Sequence, residues 1–225
     1  MPDEWSNKNF AEDWDGGGAA KHPVRKEHLD MLVSIIADGY SSGKYILDLG
    51  YGSGQVEEML YAKIPDAHII GTDNSDVMIE LSRKRLGDNF KKLSAINSSL
   101  EDIEALKLPK GNYQYVISVQ ALHHLAHNQQ KKIFQFAYNT LEQSGSFLFI
   151  DRVVLDIQTF EKPYKAIYEK MFNKSFEEYK KDIEQKEDYP ATPEEHISWL
   201  DEIGFKVTCL SKRFDRAFII GFKDK

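Results

Sequence analysis

Cysteine is nearly absent from these 225 residues: Cys209 is the only one. No internal disulfide and no multi-cysteine metal site can form, and a reducing compartment, by default the cytoplasm, is expected. Long apolar runs are missing as well. None approaches the roughly 20 residues that span a bilayer, and the opening "MPDEWSNKNFAEDWDGGG" is polar and acidic, unlike a secretory leader. An excess of positive charge is also lacking, with 29 basic against 36 acidic residues and a net charge of −7. A duplex nucleic-acid binder usually carries a basic face, so nucleic acid is not the expected partner. Nothing repeats, and no segment is of low complexity.

What is present is a globular balance, 41% hydrophobic and 29% charged, in a chain long enough to bury one sizeable core. A single domain over residues 1–225 is expected. Residues 1–22 read as an irregular arm: Trp5, Phe10 and Trp14 are its anchors, Gly16, Gly17 and Gly18 a joint, and the aromatics predict docking on the domain's own surface. From residue 23, Leu29, Leu32, Val33, Ile35 and Ile36 recur at helical spacing up to Gly39. Strands at 45–49, 68–72, 92–97, 113–119 and 145–154 then alternate with helices at 54–64, from Ser75, and at 128–142. That βαβ rhythm predicts an α/β fold, a parallel sheet covered by helices on both faces.

After residue 156 the rhythm changes. Phe160, Tyr164, Ile167 and Met171 form one helical stripe; Phe172, Phe176, Tyr179 and Ile183 form a second, with a break near Asn173. "TPEE" at 192–195 is a capping box that opens a further helix. "FKVTCLSKRFDRAFIIGFK" ends as two strands turning near Asp215, with Cys209 read as a buried structural thiol in the first.

The chemistry concentrates in "YILDLGYGSGQ", residues 45–55. A dinucleotide site needs G-x-G-x-x-G, but the third glycine is replaced by Gln55 in one register and Glu57 in the other. No Gly-Lys-Ser/Thr follows, so a P-loop is excluded. The pattern is D-x-G-x-G-x-G, and an acid two residues before the first glycine would repel a pyrophosphate but suits a cation. Asp73, nineteen residues past Gly54, ends the second strand, where an acid can accept both ribose hydroxyls. Ribose, no phosphate and positive charge describe S-adenosylmethionine.

On these residues the chain resembles the class I S-adenosylmethionine-dependent methyltransferases, in their small-molecule branch. "ILDLGYGSG" is similar to the family's first motif, which assigns Asp48, Gly50, Tyr51, Gly52 and Gly54 to the cofactor. "GTDNSDVM" is similar to the strand-2 motif, with Asp73 on the ribose and Asn74 and Met78 at the adenine. "NSSLEDI" is similar to the loop after strand 3, where Ser99 and Leu100 adjoin the adenine, and "VISVQALHHL" to the strand-4 motif, with Gln120 next to the ligand.

The resemblance implies a Rossmann-like, seven-stranded, mostly parallel sheet with an antiparallel C-terminal hairpin. Its parts would be a cofactor-binding core at 40–155, a helical lid insert at 156–190, and a C-terminal helix and hairpin at 192–225. Tyr164, Tyr168, Met171 and Phe172 of the lid either line an acceptor pocket or pack the insert onto the sheet. Arg25 and Trp14 either close the other side of the cleft or lie on the surface. Tyr51, where the family usually has a small residue, either leans toward the ligand or lid or packs on the arm.

His123 and His124, just after the fourth strand, are either candidate general bases or structural histidines. His127 stands four residues past His123, the spacing of a metal pair on one helix, but no third ligand accompanies them and no metal is expected. The Asn/Asp-Pro-Pro-aromatic motif of DNA and RNA amino-methyltransferases is replaced by "SVQALHH", and the double-glutamate loop of arginine methyltransferases is missing. A small-molecule acceptor and a monomer or homodimer are expected. Two alternatives stay open: a non-catalytic cofactor-binding partner subunit, and an enzyme acting on protein or RNA.

Overall fold

A computed structural model describes residues 7–21, 23–185 and 188–224. Its strands are β1 (Tyr45–Leu49), β2 (His68–Asp73), β3 (Ser94–Asn97), β4 (Tyr113–Val119), β5 (Leu141–Arg152), β6 (Phe205–Arg213) and β7 (Arg216–Lys223). They form one sheet in the order β3-β2-β1-β4-β5-β7-β6. The first five pair in parallel, while β7 runs antiparallel to both β5 and β6. The expected seven strands with a reversed C-terminal hairpin are therefore present.

The helices are α1 (Lys8–Lys21), α2 (Pro23–Gly39), α3 (Gln55–Lys63), α4 (Asp76–Leu86), α5 (His127–Thr140), α6 (Ile157–Phe172), α7 (Phe176–Gln185) and α8 (Pro193–Ile203). Side chains alternate across each strand and so sort to two faces. From β1, Leu47 and Leu49 join Phe134 of α5, Phe147 of β5 and Leu200 of α8 on one face. Ile46 points the other way, to Leu32 and Ile36 of α2 and Leu60 of α3. Asp48, two residues beyond Ile46, shares that second face. Local signals set the helix starts. The Ser75 hydroxyl caps α4 by accepting from the Met78 N–H at 3.2 Å, and Thr192 and Glu195 cap α8 reciprocally.

The expected irregular arm is instead a helix. Each glycine inside α1 costs roughly 1 kcal/mol against alanine, and tertiary anchors offset that cost. Arg25 lies over the Trp14 ring at 4.9 Å, and Asp15 binds the Ser53 hydroxyl and, at 2.7 Å, Arg85. The helix docks on α2 and α4, so the docking reading holds while the irregular one does not. Trp5 lies outside the described residues.

The insert at 156–190 holds two helices broken at Asn173, whose φ of 50° is left-handed, a conformation its short polar side chain tolerates. Tyr164, Tyr168 and Phe172 pack with Phe176, Tyr179 and with Phe214 of the β6–β7 turn. These aromatics fasten the insert to the sheet. Cys209 is partly buried against the first face, and burial raises its thiol pKa. No described helix is long and apolar enough to cross a membrane.

Candidate functional site

The loop after β1 is tied to β2: the Gly50 and Tyr51 N–H groups both donate to the Thr72 carbonyl, at 2.8 and 3.1 Å. Gly50, Gly52 and Gly54 have φ of 81°, 58° and 77°, the left-handed region that glycine enters without penalty. A Cβ on Gly50 would lie 2.7 Å from the Ala121 Cβ, whereas one on Gly52 would meet nothing within 4 Å. Gly50→Ala is accordingly expected to cost about 2–3 kcal/mol, from left-handed strain and that clash, seen as a lower urea midpoint with an unchanged slope. The Gly52 N–H donates to Asp73 Oδ2 at 2.9 Å and the Ser75 N–H to Asp73 Oδ1 at 2.9 Å. Burial raises the Asp73 pKa against these donors.

Tyr51 lines the cleft while its ring packs inward. The residue is 5% exposed, and its ring turns under the loop into the α2–α3 face, where it lies against Gly71 of β2. A Cβ on Gly71 would stand 2.8 Å from that ring. The bulky letter in the loop and the glycine in the strand are complementary.

The loop is one wall of a cleft of about 660 Å³, its mouth included. Asp48, Gly50, Tyr51, Gly52, Asp73, Met78, Gln120 and His124 line it. Gly54, Asn74, Ser99, Leu100 and His123 do not, each for a local reason. Gly54 is the N-cap of α3, set against Ser82 and Leu86, and Asn74 is exposed. The Ser99 hydroxyl caps a 3₁₀ turn by accepting from the Glu101 N–H at 3.2 Å. Leu100 is core, its carbonyl accepting from Gln129 Nε2 at 3.0 Å.

The same cleft holds residues whose roles the sequence left open or did not signal. Arg25 is not a surface residue: it is 5% exposed. Its Nε and Nη2 donate to Gln55 Oε1 at 3.2 and 2.9 Å, and its Nη1 to Gln120 Oε1 at 2.5 Å. Burial, then the nearby Arg216, lower the guanidinium pKa to about 10. Gln120 takes a φ of 56°, which aims it at Arg25. Trp14 completes this wall.

Behind the cleft stands a hydrogen-bonded group. Asp151, at the end of β5, accepts from the Leu122 and His123 N–H groups, both at 3.0 Å, through Oδ2, and pairs with His123 Nδ1 through Oδ1. Burial lowers the His123 pKa although Asp151 opposes it. His124, with its ring 4.0 Å from that of His123, bonds through Nδ1 to Asp188 Oδ1 at 2.9 Å. Asp188 comes from just beyond α7, and its Oδ2 accepts from Arg152 Nη1 at 2.7 Å. Burial works to raise Asp188, but the His124 bond and the neighbouring positive charges hold it below the usual carboxylate range. Only the acid inside the apolar run "FLFIDRVV" hinted at Asp151; nothing local marked Asp188. His127 belongs elsewhere, its ring 5.2 Å from Trp199. His123, His124 and Asp188 bring ligand atoms within 4.8 Å of one another, and Arg152 already supplies positive charge to Asp188.

Asp48 tests which ligand fits. It is 1% exposed, lines the cleft, and has another acid, Glu57, rather than a cation against it. A buried carboxyl without a cation beside a glycine loop suits a cationic group, and the Asp73 carboxyl at the end of β2 suits a diol.

Comparison with known proteins agrees. A methyltransferase-domain model matches residues 46–145. The chain is 28% identical over 210 residues to the carboxy-S-adenosyl-L-methionine synthase of Nautilia profundicola, covering 89% of this chain and 86% of that one. It is 31% identical over 128 residues to the malonyl-[acyl-carrier protein] O-methyltransferase of Bacillus cereus, covering 56% of this chain and 45% of that one. The fold resembles that of magnesium protoporphyrin IX methyltransferase from Synechocystis PCC 6803 with bound SAH, at a TM-score of 0.63, 15% identity, and coverage of 89% and 84%. Residues 46–145 thus carry a methyltransferase domain, on a fold shared with a solved methyltransferase.

Proposed function

We propose that this enzyme methylates a small-molecule acceptor held beside His124. The observation that carries the reading is one cleft with the buried carboxyls of Asp48 and Asp73 on its loop wall and His124 among its other lining residues. Asp48 meets the cationic amino-acid end of the cofactor, Gly50 and Gly52 bring backbone close to it, and Asp73 accepts the ribose hydroxyls. Met78 bounds the adenine side, with Asn74, Ser99 and Leu100 on the adjoining ends of β2 and β3. The bound cofactor supplies an electrophilic methyl carbon on a sulfonium.

The chain's own task is alignment and exclusion of water, which supply much of the rate of such an in-line displacement. His124 takes the acceptor's proton, and Asp188 holds its ring by the bond at Nδ1. A monomer or homodimer in the cytoplasm fits the lone free cysteine, and the acidic net charge disfavours nucleic acid as the acceptor.

A second reading, that the acceptor itself carries a carboxylate, is favoured by Arg25. This buried cation in the cleft has glutamines for side-chain hydrogen-bond partners. Two relatives are named for carboxylated compounds, carboxy-S-adenosyl-L-methionine and a malonyl thioester. The test is release of S-adenosylhomocysteine over a panel of carboxylic acids, phenols and amines. Turnover with acids alone supports the second reading. Binding of S-adenosylmethionine with no turnover on any member, but turnover on a protein or RNA, would overturn the small-molecule reading.

A further inference from the structure

Glu57 is a carboxyl group inside a helix's apolar face. α3 buries the stripe Val56, Glu57, Leu60 and Tyr61, and Glu57 is 0% exposed. Its carboxyl faces that of Asp48 and its own backbone N–H, and no cation among the described residues acts on either acid. The alternation of β1 explains the encounter, since Asp48 lies on the face that α3 covers, and there the two carboxyl groups meet. Around them pack Asp73 of β2, Tyr51 of the loop and Tyr61 of α3, none bringing positive charge. Arg83 of α4 acts on Tyr51, and Arg25 of α2 lines the same cleft but binds Gln55 and Gln120. Two carboxylates in contact and out of water cannot both stay ionised unless a cation joins them, and one shared proton relieves the repulsion.

We propose that Asp48 and Glu57 share one proton in the free protein and release it when the cationic amino-acid end of S-adenosylmethionine docks on Asp48. Glu57 is thus a positioning residue of the cofactor site. The charges balance: the pair passes from net −1 with its proton to −2 against a cation, and the proton leaves to solvent with no covalent bond changed. Burial raises both carboxyl pKa values, that of Glu57 to about 7, so the exchange falls near neutral pH. While the pair holds its proton, cofactor affinity rises with pH, by up to about tenfold per unit. Above that range the linkage vanishes.

The inference rests on the cofactor assignment and has its own readout. The full chain is titrated calorimetrically with S-adenosylmethionine in buffers of differing ionisation enthalpy. About one proton released per cofactor bound is expected near pH 6, falling toward zero near pH 9. Glu57→Gln is expected to bind the cofactor with little proton release and with an affinity that no longer weakens near pH 6. 5′-Methylthioadenosine, which lacks the ammonium and the sulfonium, is expected to bind the unaltered protein without proton release, a control that needs no substitution. Cofactor binding without proton release at any pH, or equal release from Glu57→Gln and the parent, overturns the shared proton. Failure to bind at every pH overturns the cofactor seat itself, and the proposal with it.

Discussion

Asp73→Ala is expected to weaken S-adenosylmethionine binding by 10²- to 10⁴-fold, the largest loss from any single change in the cleft. Two hydrogen bonds from the ribose hydroxyls to a buried carboxylate contribute about 1.5–3 kcal/mol each. Asp73 also organises its own surroundings, because its two oxygens accept the Gly52 and Ser75 N–H groups. The glycine loop and the start of α4 both lose an acceptor in the alanine variant, which adds a lower melting temperature. Asp73→Asn keeps one acceptor oxygen and is expected to fall between the two. Calorimetric titration separates the effects, and a near-parental Kd for the alanine variant would remove Asp73 from the cofactor site.

His124→Ala is expected to lower kcat by roughly 10²- to 10⁴-fold, the usual worth of a positioned proton acceptor, with the cofactor Kd little changed. Asp188→Asn should reduce kcat less and leave KM for the cofactor alone, because Asp188 acts only through the His124 ring. It also strips Arg152 of a partner on which it closes at 2.7 Å. The Asp188 carboxyl is held below its usual range, so its stabilising contribution is complete above the unfolded value of about 4. That contribution is lost as pH falls through the lower folded value. His123→Ala is expected to report differently. It leaves the buried Asp151 short of its histidine, and removing one partner of a buried pair costs about 3–5 kcal/mol, so the change appears first in stability. Full turnover by His124→Ala at every pH would remove the proposed base.

These expectations draw unequally on sequence and fold. The strand and helix rhythm, the capping by Ser75 and Thr192, the break at Asn173 and the hairpin turn near Asp215 were all legible, because each depends on neighbours a few residues away. That Asp48, Gly50, Gly52 and Asp73 stand together was legible too, and they line one wall of the cleft. The arm was misread. Three glycines argued against a helix locally, and contacts with Ser53, Arg85 and Arg25, outside the arm, help hold α1 in place.

The sequence by itself determined the class of fold and the glycine turn after the first strand, because hydrogen-bond periodicity and strand alternation are short-range and written in consecutive residues. Tertiary structure alone decided which histidine reaches the cleft. It also decided that Asp188 stands behind His124 across 64 positions of chain, that Arg25 is buried, and that Glu57 meets Asp48. Those pairings follow from how helices seat on the two faces of the sheet. Burial then fixes their chemistry, since a charge withdrawn from water must find a partner, a proton or a ligand.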